Sequence, residues 1–247
     1  MHRKLLIAAL AAVATLAFAG VSQAVTAPDG SASLEATATP AKAGKTSAPK
    51  NVTLGFDLTV SRPGTTVGKI GIELPKGLKL TGKGLKKCSA DNLQLNGPSV
   101  CPAGSKAGTV GTAAARIEPA GTALNFNVYP FVGGDNKLLF YLIQTVNGAE
   151  SPSGIQTVLT GNITNKGRKL TITIPQELRQ PAQGLNATLT AIKATFKGKV
   201  GKHYVVSSTG CTGGKWNVKA SLIFAARSDN PTPPATPSLT DPGSCTK

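Results

Sequence analysis

Apolar and polar residues alternate in residues 51–60, NVTLGFDLTV. A period of two places every second side chain on the same side of the backbone, as in a strand with one buried face. The apolar members of this alternation are Val52, Leu54, Phe56, Leu58 and Val60. The segment VGKIGIELP continues the pattern after the turn-forming residues 61–66, SRPGTT. The sequence therefore predicts two strands joined by a turn.

The same alternation continues almost to the end of the chain. FNVYPFV and KLLFYLIQTV flank the connection GGDN at 133–136, and GIQTVLTGNIT and KLTITIP flank NKGR at 165–168, so both pairs are predicted hairpins. Three further alternating segments follow, LNATLTAIKATFKGKV, HYVVSST and WNVKASLIFAA. Roughly ten strands, with no long helical period after residue 24, predict an all-β fold, which is either a sandwich or an open barrel. We expect an antiparallel β-sandwich of the immunoglobulin-like or a related type.

Two segments share a form that suggests an internal duplication. IELPKGLKL at 72–80 and ITIPQELRQ at 172–180 each fit a strand that ends in proline and continues into a loop. Each loop leads to a Gly-Leu pair, at residues 84–85 and 184–185. The body therefore consists either of two related β units or of one unit in which proline ends a strand twice.

The N-terminal residues depart from the alternation and predict export. Residues 1–24 combine a short basic start, an apolar run over 5–19 and the small-x-small triplet Ser22-Gln23-Ala24, which is typical of a secretory signal peptide. The apolar run is shorter than the roughly 20 residues that span a bilayer, and an uncleaved anchor is the alternative. We therefore expect a secreted, extracellular or cell-envelope-associated protein, with no transmembrane segment after signal removal.

Composition divides the rest of the chain into three parts. Residues 25–50 are rich in Ala, Thr, Ser, Pro and Lys and poor in large apolar side chains, so we expect a flexible leader. Residues 51–227 form the predicted β-sandwich body. Residues 228–247 are rich in proline, and we expect a tail that Cys245 ties back to the body.

The charge of the chain adds a prediction about partners. The formal net charge is +16, from 27 Lys and Arg against 11 Asp and Glu. The lysines form two clusters, Lys76, Lys79, Lys83, Lys86 and Lys87, and Lys193, Lys197, Lys199 and Lys202. Loops that meet at one end of the body would make these clusters a patch for an anionic wall polymer or a membrane surface. The alternative is a solvated rim that keeps strand edges unpaired.

The four cysteines, Cys88, Cys101, Cys211 and Cys245, allow three pairings. Export favours disulfides. The sequential pairing, Cys88–Cys101 and Cys211–Cys245, is the one we expect, because it closes one short loop and links the C-terminal tail to the body. Zinc is an alternative, although zinc sites usually bring cysteines in C-x2-C pairs, which this sequence lacks. Free thiols are the third alternative.

Few residues suit catalysis or cofactor binding. After residue 24 the chain has one histidine, His203, in an alternating segment, so a Ser-His-Asp triad would depend on a residue predicted to lie in a strand or turn. No phosphate-binding or calcium-binding motif is complete. We therefore expect no catalytic residue, no metal and no cofactor. Aromatic residues are not interleaved with the lysines, which argues against specific nucleic-acid binding.

Several segments together resemble a group of uncharacterised secreted β-rich proteins of actinobacteria. These segments are LPKGLKL (74–80), KKCSADNL (86–93), CPAGSKAGTV (101–110), VYPFVGG (128–134) and CTGGKWNVKASLIF (211–224), followed by Cys245. The resemblance covers most of residues 51–247, and its motifs are structural. It implies export and a β-rich body stapled by disulfides, and it implies no named activity.

Together these observations predict an exported, non-enzymatic protein of the extracellular space or envelope, with a structural or binding role. The lysine-rich loops would contact an anionic wall polymer or lipid. The first alternative is a carbohydrate-active domain that binds or hydrolyses glycosides through a carboxylate pair. A lectin-like site would expose Trp216, Tyr129 or Tyr141, whereas we expect these side chains to be mostly buried. A second alternative is a domain that serves another exported protein as its partner.

Overall fold

The computed structural model describes residues 24–227 and 229–247. The predicted signal peptide, residues 1–24, lies outside the described residues except for Ala24. The strands, in chain order, are β1 (Val25–Thr26), β2 (Ala32–Thr39), β3 (Lys50–Asn51), β4 (Thr53–Val60), β5 (Thr66–Glu73), β6 (Leu78–Leu80), β7 (Gly108–Glu118), β8 (Thr122–Gly134), β9 (Lys137–Val146), β10 (Ala149–Glu150), β11 (Gln156–Thr164), β12 (Lys169–Thr173), β13 (Asn186–Phe196), β14 (Lys199–Val200), β15 (His203–Tyr204), β16 (Val206–Ser208), β17 (Lys215–Ala225) and β18 (Ser238–Ser244). The helices are α1 (Ala90–Asn96) and α2 (Gln176–Arg179), and short 3-10 turns lie at Pro98–Val100, Ala103–Ser105 and Asn165–Gly167.

The all-β prediction is confirmed, and neighbouring strands pair antiparallel. One long sheet runs in the order β1-β2-β4-β13-β7-β8-β9-β11-β12-β5-β17-β18, and β10 extends β9 beside this path. Two small sheets, β14-β15 and β3-β16-β6, lie outside it. Both predicted hairpins are present, because β8 pairs with β9 and β11 pairs with β12. The body is therefore built mainly from one continuous sheet.

This continuous sheet is closer to the open-barrel alternative than to the expected sandwich of about ten strands. Its two edges meet where the Ala36 N–H in β2 donates to the buried Asp241 carboxylate in β18, with an N–O distance of 2.6 Å. Register shifts interrupt the pairing of β13 with β7, β17 with β5 and β8 with β9. Such bulges bend strands and increase their twist. The sheet therefore curls into a nearly barrel-shaped form and covers its own apolar face.

Threonine side chains join the first residues of β5 and β13 inside the curled sheet. Thr188 Oγ1 donates to the Thr65 carbonyl at 2.7 Å, and Thr66 Oγ1 donates to the Ala187 carbonyl at 3.3 Å. We describe the interior as two regions on either side of this contact between β5 and β13. We call the region enclosed by β5, β7, β8, β9, β11, β12 and β13 the hollow half. The region enclosed by β2, β4, β13, β5, β17 and β18 is the filled half.

Large apolar side chains occupy the interior of the filled half. None of the following is more than 4% exposed: Leu34, Leu54, Phe56, Leu58, Trp216, Leu222 and Leu239. Phe196, at the end of β13, connects the two halves, because its ring centroid lies 5.6 Å from that of Phe56 and 6.0 Å from that of Phe140. One hydrophobic core therefore continues from one half into the other.

Residues 25–50 differ from the flexible leader that composition predicts. Residues 32–39 form β2, which pairs with β4 along its whole length. Ala32, Leu34 and Ala36 point into the core and are buried. The composition argument fails here because the neighbouring strands supply the large side chains, so a strand with small apolar residues on one face still fits the sheet.

The C-terminal residues form a strand in addition to the predicted link through Cys245. β18 pairs with β17 from Lys215–Ser244 to Ser221–Ser238. β18 is an edge strand, which pairs with β17 on one side and ends the order of the sheet on the other. Pro242, which lacks an N–H, is tolerated in such a strand. Cys245 lies at disulfide distance from Cys211, with a Cα–Cα distance of 5.8 Å.

A short helix covers the outer face of β9 and is a feature that the sequence does not predict. Ser89 caps α1 by accepting a hydrogen bond from the Asn92 N–H. Leu93 of α1 is fully buried in a cluster with Leu139 and Tyr141. At seven residues the helix is too short to show a 3.6-residue period. Cys88 and Cys101 flank it at disulfide distance, with a Cα–Cα distance of 5.1 Å.

The two similar segments, 72–80 and 172–180, belong to one sheet. Their strands, β5 and β12, pair with each other, with Ile72 opposite Leu170. After its proline the first segment continues into β6, whereas the second continues into α2. Within the described residues, no helix has the length and apolarity that a membrane span requires.

Candidate functional site

A cavity of about 210 Å³ lies inside the hollow half. All seven strands of this half contribute apolar side chains to its wall, and representative ones are Val67, Ala115, Leu124, Leu142, Leu159, Ile172 and Leu189. Among the described residues that line it, only Thr157, Glu177 and Arg179 carry polar side chains. The cavity is therefore a concave, mainly apolar site with a few polar groups, as is typical of small-molecule sites.

Small side chains on β7 leave this space open. The segment TAAARIE turns Ala113 and Ala115 inward, opposite Phe126 and Leu124 of β8. In the filled half, by contrast, β4 turns Leu54, Phe56 and Leu58 inward. A bulge at Thr190 shifts the alternation of β13, so that Leu189 and Ile192 both line the cavity.

The cavity is closed at one end and opens at the other. Phe140 lines its closed end and packs against Phe196. At the open end the wall includes Ile174, which follows β12, and Leu178 of α2. Both side chains are only half-buried, as are Leu124 and others near this end. A ligand that entered here would cover apolar surface and gain about 25 cal/mol for each Å² removed from water.

Arg179 is the one cationic side chain among the described residues that line the cavity. It is half-buried, and its Nε–H donates to the Ile174 carbonyl at 3.1 Å, which holds the side chain beside the opening. Among the described residues no carboxylate forms an ion pair with it. Glu177 is exposed at the same rim. The guanidinium therefore keeps donors available for an anionic group at the opening.

The predicted lysines lie mostly at the opposite end of the molecule, and all nine are exposed. The His203 ring packs against Gly84 so closely that a Cβ on this glycine would lie 2.3 Å from Nδ1. This contact places the loop that contains Lys83 and Lys86 beside the loop that contains Lys199 and Lys202. We call these four lysines, together with Lys197 next to them at the end of β13, the lysine-rich end.

The other four predicted lysines do not belong to this group. Two of them form ion pairs, and two lie elsewhere on the surface. Lys87 pairs with Asp135 at 2.7 Å, and Lys193 pairs with Asp57 at 3.2 Å on the outer face of β13 and β4. Lys79 lies in β6 beside the 165–167 turn, and Lys76 lies in the preceding loop. The structure therefore brings together part of each predicted cluster.

Two carboxylates, Glu118 and Asp229, bind the same cation. Arg227 is buried, and it donates to Glu118 from Nη1 and to Asp229 from Nη2 and Nε. Burial opposes ionisation of Glu118, but hydrogen bonds from Arg227 and the Gly64 N–H lower its pKa overall. The hydrogen bonds from Arg227 also lower the pKa of Asp229. Neither carboxyl therefore suits the general acid of a glycoside hydrolase, which requires a raised pKa.

The aromatic residues that a lectin-like site would expose are largely enclosed. Trp216 is 1% exposed and its Nε1–H donates to the Gly210 carbonyl at 3.0 Å. Tyr141 is 2% exposed, and burial raises its pKa. Tyr129 is half-buried; burial and a hydrogen bond to Glu150 raise its pKa to about 12.

The remaining predictions concern metals and catalysis. Within residues 24–227 and 229–247, no three His, Cys, Asp or Glu side chains form a cluster that would hold a metal ion. His203 lies in β15, where its ring packs against Gly84. The predicted cysteine pairs both lie at disulfide distance.

No protein-family model, curated protein or solved structure matches this chain. Its function must therefore be inferred from the site itself. Alternation in the sequence does not reveal the cavity, because it identifies the inward face of a strand and not the space in front of it. A signal was present in residues 113–115, where three consecutive alanines occur in a strand.

Proposed function

We propose that this protein is a non-enzymatic binding protein that holds a small apolar ligand in the cavity of the hollow half. The observation that supports this proposal is the apolar cavity of about 210 Å³, open beside α2. A cavity of about 150 Å³ lined by apolar side chains binds benzene, so the space here is sufficient for a small ring or a short chain. Keeping such a space costs stability, which favours a role for it.

Calorimetric titration with toluene, a neutral apolar probe with a single ring, tests this proposal. Ala115→Phe fills the cavity from β7 and is expected to abolish binding of this apolar probe. Thr112→Phe places the same side chain on the exposed outer face of the same strand and is the matched control. Equal binding by Ala115→Phe and the wild type would overturn the proposal.

A second candidate function is contact with an anionic wall polymer or lipid surface through the lysine-rich end. The observation that favours it is the packing of the loop around Gly84 against His203, which gathers lysines from both predicted clusters. Screened attraction between exposed charges weakens at high salt. We expect retention on purified cell wall or on phosphatidylglycerol vesicles at low salt, and loss of retention at about 0.5 M salt.

Substitution of four lysines separates this candidate from a general effect of charge. The variant K83Q/K86Q/K199Q/K202Q removes four charges at the lysine-rich end and is expected to lose retention. The control K69Q/K193Q/K215Q/K219Q removes the same charge from exposed positions elsewhere. Equal loss in both variants would overturn a defined site.

Export is also part of the proposal. It is supported by the signal-peptide pattern of residues 1–24, by the resemblance to secreted actinobacterial proteins and by the two cysteine pairs at disulfide distance. Intact mass of the protein from an extracellular fraction is expected to show a chain that begins at Val25 with no free thiol. A chain that retains residue 1, or any alkylated cysteine without prior reduction, would contradict it.

A further inference from the structure

The polar groups at the rim of the cavity define the chemical class of its ligand, and this step rests on the proposed function. The wall is apolar on all seven strands of the hollow half. The described polar side chains in contact with the cavity are Thr157 on β11 and the two charged residues of α2, Glu177 and Arg179. Polar groups at one end of an apolar cavity fit a ligand that is apolar along its length and polar at one end.

We infer that the ligand is an amphiphile with a short alkyl chain and a carboxylate, and that Arg179 binds this carboxylate. Arg179 is fixed by its Nε–H bond to Ile174, and its two terminal nitrogens take no part in a hydrogen bond among the described residues. A guanidinium offers a planar pair of donors that matches a carboxylate. The half-buried position of Arg179 reduces solvent screening, which strengthens the pair relative to an exposed one.

From the position of Arg179 we expect an anionic ligand to be preferred to a neutral or cationic one. No other cation contacts the cavity among the described residues, so a chain seated against Phe140 directs its head towards α2. Glu177 lies at the same rim but is exposed to solvent. A cationic head would have to approach Arg179 and would be repelled.

The volume of the cavity sets the length of the chain. A cavity of about 150 Å³ holds the six carbons of benzene, so by proportion a cavity of about 210 Å³ accepts about eight carbons. A carboxylate outside this volume, beside Arg179, corresponds to a chain of about eight to ten carbons. Octanoate and decanoate are therefore suitable probes.

Calorimetric titration of the mature chain with decanoate, decanol and decyltrimethylammonium tests this inference. The three probes share a chain and differ in the charge of the head. We expect decanoate to bind at least tenfold more tightly than decanol, and the ammonium to bind least. Arg179→Gln is expected to remove the difference in affinity between decanoate and decanol, because its amide carries no charge.

The outcomes separate the inference from the proposed function. Equal affinity for decanoate and decanol in the wild type, or an equal loss of both in Arg179→Gln, overturns the inference and leaves the apolar site standing. Binding of decanoate that survives Ala115→Phe overturns it as well, because the probe then binds outside the cavity. Failure of all three probes to bind overturns the inference, and it overturns the proposed function as well if toluene also fails to bind. Glu177→Gln, which removes a negative charge from the same rim, is expected to keep or increase the preference for decanoate.

Discussion

The filled half and the hollow half are built by the same antiparallel sheet but differ in the side chains that they turn inward. In the filled half, Phe56, Leu58 and Trp216 meet side chains from the opposite strands, and each is at most 4% exposed. In the hollow half, Ala115 faces the centre, and Leu189 is only half-buried although it points inward. The two halves share β5 and β13, so the difference does not arise from the backbone pairing alone.

This difference shows that alternation and packing are separate properties of a strand. Alternation decides which face of a strand is turned from water. Side-chain volume decides whether the enclosed space is filled to the density of a protein interior. A cavity lined by apolar groups loses dispersion contacts and lowers stability. The hollow half therefore has the features of a binding site, and the filled half has those of a structural core.

The largest expected effect comes from removing the disulfide that anchors the edge of the filled half. In C211S/C245S the released loop spans a sequence separation of 34, against 13 for C88S/C101S. The loop-entropy model predicts losses of about 4 and about 3 kcal/mol in the free energy of unfolding. Urea denaturation measures both. Because Cys88 and Cys101 flank a helix on the outer face of β9, their variant is expected to retain binding of the apolar probe.

The reverse order of stability in these two variants would contradict this ranking of the two halves. Loss of probe binding in C88S/C101S would likewise mean that the outer covering of β9 supports the cavity wall. Wild-type protein unfolded under reducing conditions is the control. Because reduction breaks both disulfides, this protein must be less stable than either variant.

A matched pair of leucine substitutions gives the next largest effect. Leu58→Ala removes a side chain that is 1% exposed and creates a cavity, so we expect a loss of about 3 kcal/mol. Leu189→Ala removes a half-buried side chain beside a space that already exists, so we expect a loss of about 1 kcal/mol. Urea denaturation compares the two. Equal losses would show that the hollow half is packed as tightly as the filled half in solution.

The opposite substitution, from small to large, tests the same difference between the halves. Ala220 is 2% exposed in the filled half, so Ala220→Leu overpacks the core and is expected to cost about 2 kcal/mol. Ala115→Leu enters the cavity and is expected to change stability by less than about 1 kcal/mol in either direction. Thermal unfolding of both variants measures this. A loss in Ala115→Leu as large as that in Ala220→Leu would contradict the presence of usable space.

Particular strands show how much of this fold the sequence predicts. The alternation in β4, β8, β9, β11 and β12 identifies those strands and two hairpins directly. The alternation does not separate a sandwich from an open barrel, because curvature arises from bulges, such as the one at Thr190, which change the register by one residue and leave no compositional mark. β2 is missed because its core-facing side is mainly alanine, and its burial depends on neighbours distant in sequence.

The candidate site is less predictable than the fold for a related reason. Arg179 and Glu177 lie in a short segment after Pro175 that appears in sequence as an ordinary loop. Their position at the rim depends on the closing of seven strands around the cavity. The lysine clusters are visible in sequence, but whether they meet depends on the contact between Gly84 and His203. Long-range placement of this kind has no local signal.

The smallest expected effect concerns the ion triad that links the two halves. Glu118 ends β7 of the hollow half, and Arg227 follows β17 of the filled half. The pKa of Glu118 is lowered below its usual 4.5, because the hydrogen bonds from Arg227 and Gly64 outweigh burial. Between the lowered pKa and 4.5, the unfolded chain binds more protons than the folded chain, so stability rises with pH there. The contribution of the Glu118 carboxylate to the free energy of unfolding is present above pH 4.5 and is lost as pH falls through the lowered pKa.

Glu118→Gln is therefore expected to lower the free energy of unfolding by about 1 kcal/mol at pH 7, because a neutral amide replaces the carboxylate beside a buried cation that Asp229 still pairs. The difference from the wild type should shrink as pH falls below 4.5, where the wild-type carboxyl also becomes neutral. Urea denaturation at a series of pH values measures this. Glu73→Gln, which removes an exposed pair with Lys169, is the control and is expected to change little. A difference that stays constant with pH would mean that Glu118 joins the halves through packing and not through its charge.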